Sequence, residues 1–362
     1  MIKIESMMNK YIISNSFYEN AINKYEALCK LLLNKGIDCH IYPQGSFSYG
    51  AVVKPFYGGK EQNYDLDIIC EINDMPIETN PLLIMDRLEF ILNDSIYKEK
   101  YVKHDNGFTI KYAEIGGIDF TIDLIPALPE KESTKDDIKM HSEVGEFAAN
   151  SIIIPQMVKQ RYKYIKNNPL GFKQWFDRIN SPYTYLAKLN YYNENRSNYS
   201  SIEEIPTYYV LSNLQKLIIL LKRMRDVYFD RTKKKKPISG LLTVLVCKAV
   251  KEIGVISDFD CLLKQVIEYI KTLEYNFDIT SLHKENGQWF LKNPVNYLDN
   301  LADSWDDSDA KSFFEFIKFI DNKIISNCSF NQNAFFSMTG IEEDKNSYER
   351  VSVNTKPWLE KM

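Results

Sequence analysis

The sequence predicts an α+β fold, a mixed sheet with helices on one face, followed by a helical lobe. Three observations predict it. Segments that alternate apolar and polar residues fall in the first part of the chain, as in Ile37-Asp38-Cys39-His40-Ile41 and Ile118-Asp119-Phe120-Thr121-Ile122-Asp123-Leu124. Period-two alternation marks a strand with one buried face. Apolar stripes at helical spacing are interleaved with these strands, and from about Ile154 onward the character changes to helix with loops. A chain of 362 residues favours two domains or one domain of two lobes. The boundaries expected are a core over 1–165 that includes a long N-terminal helix, a helical lobe over 166–330, and an irregular tail over 331–362.

The elements follow in order. Ser16-Phe17-Tyr18-Glu19 fits a capping box, and Phe17, Ala21, Tyr25, Leu28 and Leu32 continue at helical spacing to a stop at Gly36. The strand Ile37 to Ile41 leads to a Gly45-Ser46 turn and a short helix from Phe47. Gly58-Gly59 reads as a loop or hairpin tip. Tyr64-Asp65-Leu66-Asp67-Ile68-Ile69 reads as the next strand. Pro81 to Asn93 carries an apolar helical face. Strands follow at Tyr101 to His104, Phe108 to Tyr112 and Ile118 to Ile125, with turns at Asp105-Asn106-Gly107 and Gly116-Gly117. In the second half, helices are expected over Tyr208 to Phe229, Leu241 to Val250, Phe259 to Leu273 and about Asp309 to Ile325. Arg231 to Lys236 is a basic loop, read as solvated. Asn293-Pro294 and Ala302-Asp303-Ser304-Trp305 are placed in a loop. No internal repeat is visible.

The chemistry-bearing stretch runs from Gln44 to Asp67. Glycine at 45 permits a tight turn and close approach to a ligand, and free N–H groups at a helix start attract phosphate. Asp65 and Asp67, at i and i+2, share one face of a strand. Two carboxylates side by side repel, and a hard divalent cation such as Mg²⁺ relieves that repulsion. An isolated Asp-x-Asp is more often a solvated strand end. A third carboxylate changes the balance: Asp119, Thr121 and Asp123 share the polar face of a neighbouring strand. Alternation does not choose between Asp119 and Asp123.

Gly-Ser, then Asp-x-Asp, then an aspartate in a strand ending in proline resembles the polymerase-beta-type nucleotidyltransferases. Their third aspartate sits between apolar residues ahead of a proline, and Ile122-Asp123-Leu124-Ile125-Pro126 matches, which selects Asp123. The second half narrows the resemblance. Lys222-Arg223-Met224-Arg225-Asp226 is similar to the Lys-Arg-His-Arg-Asp helix of the bacterial cyclic-oligonucleotide synthases. These are the CD-NTases of CBASS anti-phage systems, relatives of cyclic GMP-AMP synthase. Pro237-Ile238-Ser239, Asn293-Pro294 with Ala302-Asp303-Ser304-Trp305, and Asn168-Pro169-Leu170-Gly171-Phe172 with Trp175-Phe176 follow the same pattern in the same order. The similarity covers roughly residues 10 to 325. Met224 replaces the usual histidine, Ala51 stands where many relatives have threonine, and Gly240 stands where some carry an aromatic residue.

The resemblance implies a polymerase-beta-like core plus a helical C-terminal lobe, with the active site in the cleft between them. It implies two-metal nucleotidyl transfer. Asp65, Asp67 and Asp123 would hold two Mg²⁺ ions, with Mn²⁺ as a substitute, and Gln44, Gly45, Ser46, Lys222 and Ser239 would bind nucleotide. The expected substrates are ATP, GTP or UTP. The expected product is a cyclic di- or trinucleotide second messenger for a separate CBASS effector, with regulatory partner proteins in some relatives. Read from the residues alone, Lys222 is a surface cation near a helix C-terminus and Ser239 a helix cap. The alternative enzyme is a template-independent transferase that adds a nucleotide to RNA, protein or a small molecule, giving a linear product. From another class, the chain is a binding module without catalysis, against which all three carboxylates speak.

Composition sets the remaining expectations. Net charge is −4 and the cysteines at 29, 39, 70, 247, 261 and 328 are scattered, without zinc spacing. A general nucleic-acid coat is therefore not expected, nor is a membrane partner, since no apolar run approaches the roughly 20 residues of a span. A cytoplasmic monomer is the expectation.

Overall fold

In the computed structural model the described residues are 4–8, 12–112, 120–195, 201–205, 210–275, 280–326 and 332–340. After a short helical turn, α1 (Ile4–Met7), the chain enters α2 (Asn15–Asn34). Its cap is Ser14, whose hydroxyl accepts from Phe17 N at 3.2 Å, two residues before the capping box expected at Ser16. Ala21, Leu28 and Leu32 are buried, as the stripe predicts.

The central sheet has seven strands. Its main path runs β1 (Cys39–Pro43), β4 (Tyr64–Ile72), β7 (Phe120–Pro129), β6 (Phe108–Lys111), β5 (Tyr101–Lys103). Among the described residues only the central pair β4–β7 is parallel; its neighbours run antiparallel, which makes the sheet mixed as expected. Leu66, Ile68, Ile122 and Leu124 point to one face. There they pack with α2 and with Ile84, Met85 and Leu88 of α4 (Pro81–Asn93). The opposite face carries Ile69, Ile125 and Ala127 at one end, covered by Ile152 and Ile154. Its other end carries the aspartates.

Between β1 and β4 lie α3 (Gly45–Ser48) and a small hairpin, β2 (Phe56–Tyr57) with β3 (Lys60–Glu61). Gly58 and Gly59 form its tip with φ of +63° and +78°, as expected of a Gly-Gly pair. The short helix α3 starts at Gly45, two residues before Phe47.

After α5 (Glu132–His141) the structure departs from the expected change to helix at Ile154. Residues Ile152–Val158 (β8) and Arg161–Asn167 (β9) form a hairpin that extends the sheet from β7. Its tip, Lys159-Gln160, has positive φ at both positions without glycine or asparagine, so the usual sequence sign of a two-residue hairpin is missing.

The helical lobe comprises α6 (Pro169–Glu194), α7 (Asn213–Thr232), α8 (Ser239–Ile253), α9 (Phe259–Thr272) and α10 (Asp307–Ile320), the last running into a π turn at Asp321–Ile325. A capping box between Ser212 and Gln215 starts α7, five residues after the expected Tyr208, which lies outside the described residues. The loop expected around Asn293-Pro294 instead holds two ribbons, β10 (His283–Glu285) with β11 (Gln288–Phe290) and β12 (Lys292–Asn293) with β13 (Asn296–Asn300). The tail is not wholly irregular either. α11 (Gln332–Thr339) buries Phe335, Phe336 and Met338 in the lobe's core. Residues 341–362 lie outside the described part.

Candidate active site

The site is built on the register of β4 against β7. In this parallel pair Asp67 lies beside Asp123, and Asp65 lies beside Thr121. β6 adds Thr109 on the far side of Asp123. One polar row therefore reads Asp67, Asp123, Thr109 across three strands, and the next begins Asp65, Thr121. Asp119, the alternative third carboxylate, lies outside the described residues.

Thr121 Oγ1 donates to Asp65 Oδ1 at 2.6 Å, and Thr109 Oγ1 donates to Asp123 Oδ1 at 2.6 Å. Hydroxyl donors at this range are typical of bonds to ionised carboxylates. Asp67 lies between these pairs. Burial, then the charges of Asp123 and Asp65, pushes its carboxyl up to about 7. Burial also raises Asp123, an effect that Thr109 opposes.

The Gly-Ser turn lies against this face. Gln44 N donates to Asp67 O at 2.8 Å, which anchors the turn to β4. Gly45 has φ of +63°, and a Cβ there would lie 2.9 Å from Asp67 Oδ2. Backbone conformation and contact both require glycine. The structure thus brings together Gln44, Gly45, Ser46, Asp65, Asp67 and Asp123.

Lys222 and Ser239 are placed differently. Lys222 is 1% exposed, so it is not the surface cation its position near a helix end suggests. Its Nζ donates to Tyr49 Oη and to Ala51 O, both at 3.2 Å. Burial, then the charge of Arg225, lowers its ammonium to about 7. Ser239 is the first residue of α8 and its hydroxyl accepts from Arg225 Nη1 at 2.9 Å; the cap is Ile238. Among the described residues no hydrogen bond or ion pair joins Lys222 or Ser239 to the Gly-Ser turn or the three aspartates.

The lysines of the basic loop are paired: Lys233 with Asp230, Lys234 with Glu315, Lys235 with Asp309 and Lys236 with Asp226. This matches the reading of a solvated loop. A cavity of about 840 Å³ borders Ser48, Tyr49 and Gly50 and is walled by α6 and α7, but it is not lined by any of the three aspartates.

Sequence reading missed several residues that shape the site. Thr121 was visible on the face of Asp123, but Thr109 joins it only through the β6–β7 register. Gln215 donates to Tyr49 O at 2.9 Å and holds the segment after the Gly-Ser turn. Arg223, fully buried, donates to Lys54 O, Glu61 Oε1 and Thr339 O at 3.0, 2.9 and 2.6 Å. Contacts this distant in sequence leave no local pattern.

Whether the carboxylates suit a metal is tested by their chemistry. The donor set is oxygen only, and burial together with the neighbouring charges of Asp123 and Asp65 raises the Asp67 carboxyl, which is the setting a hard divalent cation favours. Among the described residues, no three His, Cys, Asp or Glu side chains already surround one point as a metal cage. Asp65 and Asp123 are each turned to a threonine.

The site thus combines a parallel strand pair carrying three aspartates with a Gly-Ser turn against them and a helical lobe in the same chain. No family model matches the chain. A c-di-GMP synthase of Roseivirga ehrenbergii is 26% identical over 306 residues, 82% of this chain and 70% of that protein. The CD-NTase CdnG of Bradyrhizobium diazoefficiens, solved with GTP, superposes with a TM-score of 0.68 over 92% of this chain and 93% of its own, at 19% identity. The DncV cyclic AMP-GMP synthase of Vibrio cholerae, with nonhydrolysable GTP, gives 0.52 over 84% and 69%, at 16% identity. The chain is thus similar in sequence to a cyclic dinucleotide synthase and shares the fold of the CD-NTases.

Proposed function

We propose that the chain joins nucleoside triphosphates into a cyclic di- or trinucleotide with release of pyrophosphate. The observation that carries this reading is the register pair Asp67–Asp123, with Asp65 two residues away and Gly45 against Asp67. In each bond-forming step a ribose hydroxyl attacks the α-phosphorus of a triphosphate, a P–O bond forms, and pyrophosphate leaves with the electron pair of the broken bond. Asp65, Asp67 and Asp123 would hold two Mg²⁺ ions, which when bound neutralise the triphosphate and acidify the attacking hydroxyl.

The chain's own residues do the rest. Gly45 leaves room beside Asp67 for a phosphate oxygen that any side chain would fill. Ser46 offers a hydroxyl donor to the triphosphate, and Gln44 keeps the turn fixed to β4. Lys222 supports the same segment through Ala51 O, so its support reaches the phosphates by way of the backbone. Preorganised donors of this kind act without reorganisation during the reaction. The similarity to a c-di-GMP synthase supports cyclic product formation, and GTP bound to CdnG supports a purine triphosphate as substrate. A role in anti-phage signalling through a separate effector follows from the same resemblance. Among the described residues no helix is long and apolar enough to cross a membrane.

The test is incubation of the purified protein with all four NTPs and Mg²⁺ or Mn²⁺, one labelled at a time, then phosphatase and mass spectrometry. A phosphatase-resistant product without terminal phosphate, absent from Asp65→Asn/Asp67→Asn, is expected. A product that phosphatase shortens would instead establish a linear transferase.

A further inference from the structure

We propose that Thr109 and Thr121 are positioning residues that set the metal-binding geometry of Asp123 and Asp65. The inference rests on the reading of the three aspartates as metal ligands and extends it to residues outside that set.

Each threonine lies directly across a strand pair from its aspartate: Thr121 beside Asp65 in β7–β4, and Thr109 opposite Asp123 in β6–β7. Cross-strand neighbours on one face are close enough for direct side-chain contact. Both hydroxyls donate at 2.6 Å, and both donate to Oδ1. One oxygen of each carboxylate is therefore held, and among the described residues no hydroxyl is recorded donating to Oδ2 of either. A β-branched side chain in a strand is stiff about χ1, so the donor is itself fixed. Asp67, the central carboxylate, faces instead the bare backbone of Gly45, where a Cβ would come within 2.9 Å of its Oδ2. The outer two aspartates are thus oriented by hydroxyls, while the middle one lies beside the space that glycine leaves open. Hydrogen bonds to ligating carboxylates affect metal affinity by about 10- to 100-fold. A purely structural role would instead satisfy a half-buried carboxylate and affect stability alone.

The test is a Mn²⁺ titration of the purified full chain, with free Mn²⁺ followed by electron paramagnetic resonance in the presence of a nonhydrolysable NTP. Thr109→Val and Thr121→Val, which keep shape and remove the hydroxyl, are compared with Thr→Ser at both positions and with Asp67→Asn. Thr→Ala serves if a valine variant does not fold. Each valine variant is expected to weaken Mn²⁺ binding about tenfold, and each serine variant to restore it to within about twofold. Unchanged or tighter binding in the valine variants, with binding lost in Asp67→Asn, overturns the positioning role and leaves the catalytic reading intact. Absence of Mn²⁺ binding in the unaltered protein overturns the metal reading itself, and this inference with it.

Discussion

Asp67 and Lys222 are opposite charges perturbed by the same cause. Burial first, then two neighbouring carboxylates, raises Asp67 from an ordinary 3.8 to about 7. Between those values the folded chain keeps a proton that the unfolded chain has released. Stability attributable to Asp67 therefore falls as pH rises from about 4 to about 7 and levels off above. Thermal melts in chelator should show this fall, and Asp67→Asn should remove it. Adding Mg²⁺ above pH 7 should raise the melting temperature of the unaltered protein alone. Lys222 has the reverse sign. Its ammonium is lowered from 10.5 to about 7, so between these values the unfolded chain holds the extra proton and stability rises with pH. Lys222→Met should abolish that alkaline rise in the same melts. The aspartates were legible because strand alternation puts i and i+2 on one face. The burial of Lys222 was not, because a cation near a helix end looks the same whether or not another lobe covers it.

At the scale of elements, the β2–β3 hairpin and α11 show how remote pieces fix the site's surroundings. Gly58 N and Gly59 N donate to the two oxygens of Asp230, at 3.0 and 2.9 Å. Asp230→Ala should lower the melting temperature and speed protease cleavage at the hairpin tip, with the cleaved bond identified by mass spectrometry. Beside the same hairpin, Arg223 donates to Thr339 O, and Gly340 lies next to Phe56 and Val227. Ending the chain at 331 would remove the buried Phe335 and one of the acceptors of Arg223. Deleting one buried phenylalanine side chain alone costs about 3–5 kcal/mol, so denaturant unfolding should show at least that loss. The Gly-Gly tip was legible from turn chemistry. The β8–β9 hairpin was not, since Lys159-Gln160 takes positive φ without the residues that favour it. Helix α11 escaped notice because eight residues give too short a periodic signal.

At the scale of the whole molecule, the segment from Tyr49 to Gly59 runs along α7 and joins the lobes. Gln215 holds Tyr49, Lys222 holds Ala51, Arg223 holds Lys54 and Asp230 holds the hairpin tip. Successive residues of one helix thus fasten successive residues of the segment that leaves the Gly-Ser turn. These bonds tie α7 to the segment that leads from the Gly-Ser turn. Lys234 and Lys235 of the basic loop pair away from this joint, with Glu315 and Asp309. Lys234→Gln/Lys235→Gln should leave both nucleotide turnover and the melting temperature unchanged, because exposed ion pairs contribute little.

Sequence by itself determined the α+β class, the Gly-Ser turn, the Asp-x-Asp strand and most helices. Each depends on local periodicity or on a residue's own backbone freedom. The tertiary structure decided which carboxylate stands beside Asp67, because that follows from the β4–β7 register. It also decided that two threonines hold the outer aspartates and that Lys222 lies sealed between lobes. These facts depend on hydrogen bonds and burial between segments far apart in the chain. Local pattern carries no record of them.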